Sequence, residues 1–188
     1  MKTISLYCAV AAVAILASFS DVFAYQERKD YFSKPQFGGW FGPVTPAGDL
    51  SKRVETNLGG GAFFRLTFPW PYLKFGIDSS YQRFKSKGVN DLQFVPVYGN
   101  ILFQIPVEFP VRFQFKAGAG GGWLAVKPDN KNGWDPIFMA GFEVSFPAGR
   151  IVNIGLRIDY IYIYEGYIKG SQSGGHVINT GIQLYFNI

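Results

Sequence analysis

The chain has 188 residues, a formal net charge of +5 and a single cysteine, Cys8. Aromatic residues make up 18% of it and charged residues only 16%, a balance that excludes a disordered chain. The basic excess is modest and scattered, so there is no basic patch of the kind a nucleic-acid partner requires.

Residues 1–24 carry Lys2, then an apolar run, then the small-residue site Val22-Phe23-Ala24. That is the pattern of a cleaved secretory signal peptide, because the run is short and ends at a cleavage site. Cleavage after Ala24 removes Cys8, which lies too early to be a lipid-modified first residue. Disulfides, thiolate chemistry and cysteine metal sites are then excluded from the mature chain. Beyond Ala24 no apolar run reaches the length of about 18 residues that a membrane helix needs. Residues 25–35 are polar and charged and read as a lead-in to one domain over 36–188.

That domain reads as a series of strands. Residues 36–44 (QFGGWFGPV) form the first, followed by the polar loop TPAGDLSKRVET. In the second, 58–68, Leu58, Ala62, Phe64, Leu66 and Phe68 alternate with Asn57, Gly59, Gly61, Arg65 and Thr67. Pro69-Trp70-Pro71-Tyr72 is a turn, since proline cannot donate to a ladder. The third, 73–84, sets Leu73, Phe75, Ile77 and Tyr81 against Lys74, Gly76, Asp78, Ser80 and Gln82, and the loop KSKGVND follows. The fourth, 92–105, sets Val95, Val97, Ile101, Phe103 and Ile105 against Asn100 and Gln104, and Pro96 inside it predicts a bulge or local break.

Residues 106–110 (PVEFP) turn the chain. The fifth strand, 111–126, sets Phe113, Phe115, Ala117, Ala119 and Trp123 against Arg112, Gln114 and Lys116. KPDNKNGWDP then reads as a polar loop. The sixth sets Phe138, Ala140, Phe142, Val144 and Phe146 against Met139, Gly141, Glu143 and Ser145. After the tight turn Pro147-Ala148-Gly149 comes the clearest strand, 150–164 (RIVNIGLRIDYIYIY). Every even position from Val152 to Tyr164 is apolar or aromatic, and Asn153, Gly155, Arg157 and Asp159 lie between. A period of two places these sets on opposite faces of one long strand, whereas a helix would mix them. EGYIKGSQSGG is a loop. The last strand, 176–188, sets Ile178, Ile182, Leu184, Phe186 and Ile188 against Asn179, Gln183 and Asn187.

Eight strands with alternating long loops and tight turns, and no helix-period segment after the signal, predict an all-β fold: an eight-stranded antiparallel up-and-down transmembrane β-barrel. The even count puts both ends of the sheet on one side, the periplasmic side. The competing reading is a secreted, soluble lipocalin-like barrel whose apolar face surrounds a hydrophobic ligand. The polar face decides. It carries Gly, Asn and Gln with few Lys or Glu, unlike a water-facing exterior. The apolar face carries more Phe, Tyr, Ile and Leu than so narrow a lumen holds. Trp70, Tyr72, Trp123, Trp134, Tyr162 and Tyr164 fall near strand ends, where a lipid–water boundary would lie.

The charges on the polar face are Arg65, Lys74, Arg112, Lys116 and Arg157 against Asp78, Glu143 and Asp159. Charges removed from bulk water need partners, so an ion-pair network filling the lumen is expected. An ion-selective, porin-like pore is the sharper reading, but eight strands leave too little room for one.

The pattern resembles the small outer-membrane β-barrel family that includes the OmpA transmembrane domain and the OmpX-type proteins. The resemblance covers nearly the whole mature chain and includes the alternating final strand, Ile182, Leu184, Phe186 and Ile188, of the kind the barrel-assembly machinery recognises. It implies the bacterial outer membrane, contact with outer-membrane lipid and lipopolysaccharide, and surface loops outside the cell. It does not transfer one activity, since members include adhesins, host-factor binders, envelope stabilisers and a few enzymes.

Lipid A-modifying barrels of similar size use a His with a nearby Ser and acid. His176, the only histidine, is followed by Val177 and Ile178, and the first long loop has no His. His176 is therefore expected at the rim of the last strand, with no catalytic residues, no metal and no cofactor. The glycine-rich runs 57–63 and 117–123 do not complete a phosphate-binding loop before a helix. They suit a bending sheet and a crowded lumen. Function falls to the outer loops. Their candidate contacts are Lys52, Arg53, Lys85, Lys87, Lys127, Lys131, Trp134, Tyr167 and Lys169, with host proteins or acidic glycans as partners beside anionic headgroups.

Overall fold

The computed structural model describes residues 34–68, 70, 72–86, 91–106, 111–127, 131–149, 151–164 and 174–188. The signal-peptide reading, most of the lead-in, and Lys87, Tyr167 and Lys169 lie outside the described residues. Eight strands follow in chain order: β1 (Gln36–Ala47), β2 (Asn57–Thr67), β3 (Leu73–Phe84), β4 (Asp91–Gln104), β5 (Arg112–Lys127), β6 (Lys131–Pro147), β7 (Val152–Ile163) and β8 (Gly175–Asn187). Each pairs antiparallel with the next, and β1 pairs with β8, so the sheet closes into a barrel with no free edge. The only helical piece among the described residues is a 3-10 turn, Gly48–Lys52, entered through Gly48 at φ +61°.

The two faces divide as the alternation predicts. On β7, Asn153, Arg157 and Asp159 are buried while Leu156, Ile158 and Tyr160 are exposed. Phe41, Ile77, Leu156 and Ile182, on four different strands, are 61–63% exposed. Lys116, Glu143, Arg157 and Asp159 are buried. A protein folded in water does the reverse. The barrel is apolar outside and charged inside.

Two expectations need correction. The segment KPDNKNGWDP is not a loop: β5 and β6 run on through it, pairing up to Val126↔Lys131, so Lys127, Lys131 and Trp134 are strand residues. The hairpin extends past the belt of apolar exterior residues. Its outer positions no longer require apolar side chains there, which erased the period of two. Of the two outcomes expected at Pro96, the bulge is absent and the local break occurs. Pairing with β3 lapses between Ser79↔Val97 and Gln82↔Phe94, then resumes in unchanged register. Proline removes a donor without adding a residue.

The second correction concerns the inner face, which is not polar throughout. At the end where β1 runs into the 3-10 turn, the lumen is filled by Val44, Phe84, Phe94, Ile137, Ile161, Ile163 and Val177. Val54 completes this cluster, and Leu50 packs against it. These side chains pack against one another as the core of a soluble protein does.

The closure of β8 on β1 is testable. Phe37 and Phe186 are direct partners. Replacing both with cysteine is expected to give a disulfide on mild oxidation, seen as a mobility shift on a non-reducing gel, because facing strand positions lie within disulfide reach. Phe37→Cys with Leu156→Cys is the control that should not cross-link.

Candidate functional site

The chemistry-bearing side chains of the chain gather inside the barrel. Lys116 on β5 sits at their centre. Its ammonium lies 2.7 Å from Glu143 Oε1, 2.8 Å from Asp159 Oδ1 and 3.7 Å from Asp78 Oδ2. Arg157 pairs with Asp159 two residues along β7 and donates from Nη2 to Asp78 Oδ2 across the lumen at 3.0 Å. Arg65 donates from Nη2 to Glu143 Oε1 at 2.8 Å, joining β2 to β6. Three cations and three carboxylates thus form one continuous network, and five strands contribute to it.

Neutral groups complete the shell. Gln183 Nε2 donates to Glu143 Oε2 at 2.9 Å, and Asn100 Nδ2 donates to Asp78 Oδ1 at 2.9 Å. The Arg65 guanidinium lies 3.9 Å from the Phe63 ring centroid, and Arg157 lies 4.9 Å from that of Trp40. Flat guanidiniums stacked on aromatic faces are favourable where water is excluded. Sequence reasoning missed Trp40, Phe63, Asn100 and Gln183 as members. Their inward parity was the only signal for them.

Glycine makes the room. A Cβ on Gly141 would collide with Asp159 Oδ1 and stand 2.8 Å from Lys116 Cε. Glycine is the inward neighbour of Asp78 at Gly76, of Glu143 at Gly141 and of Arg157 at Gly155, which helps an eight-stranded lumen accommodate six ionised groups.

Lys74 and Arg112 lie apart from this centre. Both stand at the start of their strands, at the same end of the barrel as Gln36 and Asn187. Arg112 Nη1 donates to Asn153 Oδ1 at 3.0 Å, and Gln36 Nε2 donates to Asn187 Oδ1 at 2.9 Å. The structure therefore brings together six of the eight lumen charges and leaves two in an amide-rich layer below them.

At the opposite end, the residues named from the loops divide. Lys52, Arg53, Lys85 and Lys127 are exposed. Lys52 donates to Asp49 Oδ1 at 2.8 Å, and this hydrogen bond holds the Asp49 carboxyl below its ordinary range. The backbone of Lys131 extends β6, and Trp134 is 60% exposed on the outer face. His176 also faces outward. Tyr160 Oη is 2.5 Å from its Nδ1, and the Tyr162 ring centroid is 5.3 Å from its own. Ser51 Oγ donates to the Gly48 carbonyl at 2.7 Å, which closes the 3-10 turn. No group of three metal-ligating side chains occurs among the described residues.

The network has a measurable consequence. Glu143→Ala leaves Arg65 and Lys116 short of a carboxylate in a buried site, and the expected loss is about 3–5 kcal/mol. Replacing Arg65 and Glu143 together with methionine should cost much less, because no unpaired charge remains from that pair. Urea unfolding of the barrel in detergent or liposomes measures both.

The chain was also compared with known proteins. No family model and no curated protein matches the sequence. Among solved structures it is similar to Neisserial surface protein A, at 11% identity and a TM-score of 0.62, over 82% of this chain and 97% of that one. It is also similar to Ail, the attachment invasion locus protein of Yersinia pestis, at 13% identity and a TM-score of 0.46, over 82% and 99% of the two chains. The barrel of this chain shares its fold with the small eight-stranded outer-membrane barrels.

Proposed function

We propose that this protein is an integral barrel of the bacterial outer membrane that acts through structure and surface contact, without catalysis. One observation carries the reading: the large apolar side chains of the strands point out of the barrel while its charges are locked inside. An exterior of Phe, Ile and Leu has no stable place in water, and an apolar surface of this extent is the mark of lipid contact. Every strand has at least 11 residues, enough to cross hydrocarbon at the usual tilt of about 45°. A soluble lipocalin-like carrier would need the opposite arrangement, and its ligand space is here occupied by the ion-pair network. The same packing argues against a porin-like pore.

The partners on this reading are outer-membrane lipid and lipopolysaccharide around the belt, and the barrel-assembly machinery during insertion. The end bearing the 3-10 turn faces out of the cell. Lys52, Arg53, Lys85 and Lys127 are exposed at that end and suit anionic headgroups, acidic glycans or an acidic host surface. The Tyr160–His176–Tyr162 cluster lies on the outer face near the same end, as an aromatic belt residue group would. A lipid A-modifying enzyme would need a serine and an acid beside His176, whose ring packs instead against Tyr160 and Tyr162.

Two measurements test this. Leu156→Arg places a cation on the outer face and is expected to destabilise the barrel in liposomes by about 2–4 kcal/mol. In a soluble barrel an exposed arginine there would be nearly neutral. Trypsin applied to intact cells should cut only at the end bearing the 3-10 turn, after residues such as Lys52, Arg53 or Lys85, and leave the membrane-spanning strands protected. A chain recovered in the soluble fraction without detergent, with Leu156→Arg indistinguishable from wild type, would overturn the proposal.

A further inference from the structure

Two lumen charges stand outside the network, Lys74 and Arg112, and Lys74 is the more deeply buried of them. Its residue is 1% exposed, and its Nζ is buried with no hydrogen-bond partner among the described residues. It makes none of the ion pairs that hold Arg65, Lys116 and Arg157 in place. Its charged neighbours aggravate the problem, because Arg65 and Arg112 face it closely enough to repel it. Five cations face three carboxylates among the lumen charges described above, and all three carboxylates belong to the network centred on Lys116.

An ammonium removed from water without a counter-charge costs several kcal/mol. Nothing about the fold demands a lysine here. A methionine would fill the same length at no electrostatic cost, so the charge is placed for something that meets it. The surroundings suit an anion. Gln36, Gln104, Gln114 and Asn153 line the same end of the lumen and are buried. Amide groups can turn their NH2 toward a negative ligand, and Asn153 Nδ2 is another buried donor with no partner among the described residues.

We infer that the amide-lined end of the lumen beside Lys74 is a binding site for a small monovalent inorganic anion of the size of chloride. The anion balances the ammonium and is taken up at the end of the barrel where β1 begins and β8 finishes. It lies below the Lys116 network, which blocks its passage to the other end. The site is a structural counter-ion position and not one step of a conducting path.

Bromide is the probe. Crystals of the full mature barrel grown in sodium bromide should show an anomalous peak within hydrogen-bonding distance of Lys74 Nζ. The peak should be absent from Lys74→Met crystals grown in the same salt. In solution, sodium bromide should raise the urea midpoint of the wild-type barrel more than sodium gluconate of equal ionic strength does. Above its dissociation constant, each tenfold rise in bromide should favour the folded state by about tenfold. Lys74→Met, shown to be folded by its heat-modifiable gel mobility, should lose that bromide-specific response. Water, or a carboxylate of the chain itself, found against Nζ in place of bromide would overturn the inference. So would equal responses of the two proteins to bromide.

Discussion

A single ammonium, that of Lys116, touches carboxylates carried on three different strands, and the barrel is organised around that contact. Asp78 comes from β3, Glu143 from β6 and Asp159 from β7. Arg65 and Arg157 then tie β2 and β7 to carboxylates on β6 and β3. Backbone pairing fixes each strand only to its two neighbours. The network ties together strands that are not neighbours, within a width fixed by the eight-strand closure. Because it stands in a dry interior, its stability depends on each charge keeping its partner.

The outer surface follows from the same constraint. In hydrocarbon every backbone N–H and C=O must be paired, and a closed sheet achieves this without an edge. The side chains must then sort by parity: odd and even positions of each strand go to opposite solvents. A soluble fold gains most of its stability from apolar residues inside. In this barrel a wholly apolar layer, where Phe84, Phe94, Ile161 and Val177 meet, lies at one end, while Trp40, Phe63, Tyr98, Met139 and Tyr185 are interspersed among the polar groups below. The lumen therefore has three layers: an apolar cap beneath the 3-10 turn, a charged centre, and an amide-rich layer toward the other end. The cap excludes water from the charges beneath it and strengthens their attraction.

Much of this was legible in the chain. Along β7 the alternation of Leu156, Ile158 and Tyr160 with Gly155, Arg157 and Asp159 gave strand, face and lumen charge at once. Legibility ended where the two faces stopped differing in polarity. Ile161 and Ile163 point inward beside outward Tyr162, so all three look alike in the sequence and the apolar cap went unseen. The opposite failure occurred in the hairpin of β5 and β6. There Asn132, Trp134 and Pro136 mix polar and apolar residues outside the belt, and the strand read as a loop. Leu50 and Val54, which cover the lumen, lie in a loop whose composition is polar. Their role depends on closure of the barrel below them, a long-range fact that no local pattern carries. Which charges pair was also out of reach, since partners such as Arg65 and Glu143 are 78 residues apart.

The direct measure of the central claim is a spin-label accessibility scan along β7, Val152–Ile163, in lipid vesicles. Labels at Ile154, Leu156, Ile158 and Tyr160 should be relaxed strongly by dissolved oxygen and weakly by a water-soluble nickel chelate. Labels at Gly155, Arg157 and Asp159 that leave the barrel folded should be shielded from both. A scan in which the even positions respond to the chelate and not to oxygen would place that face in water and contradict the account.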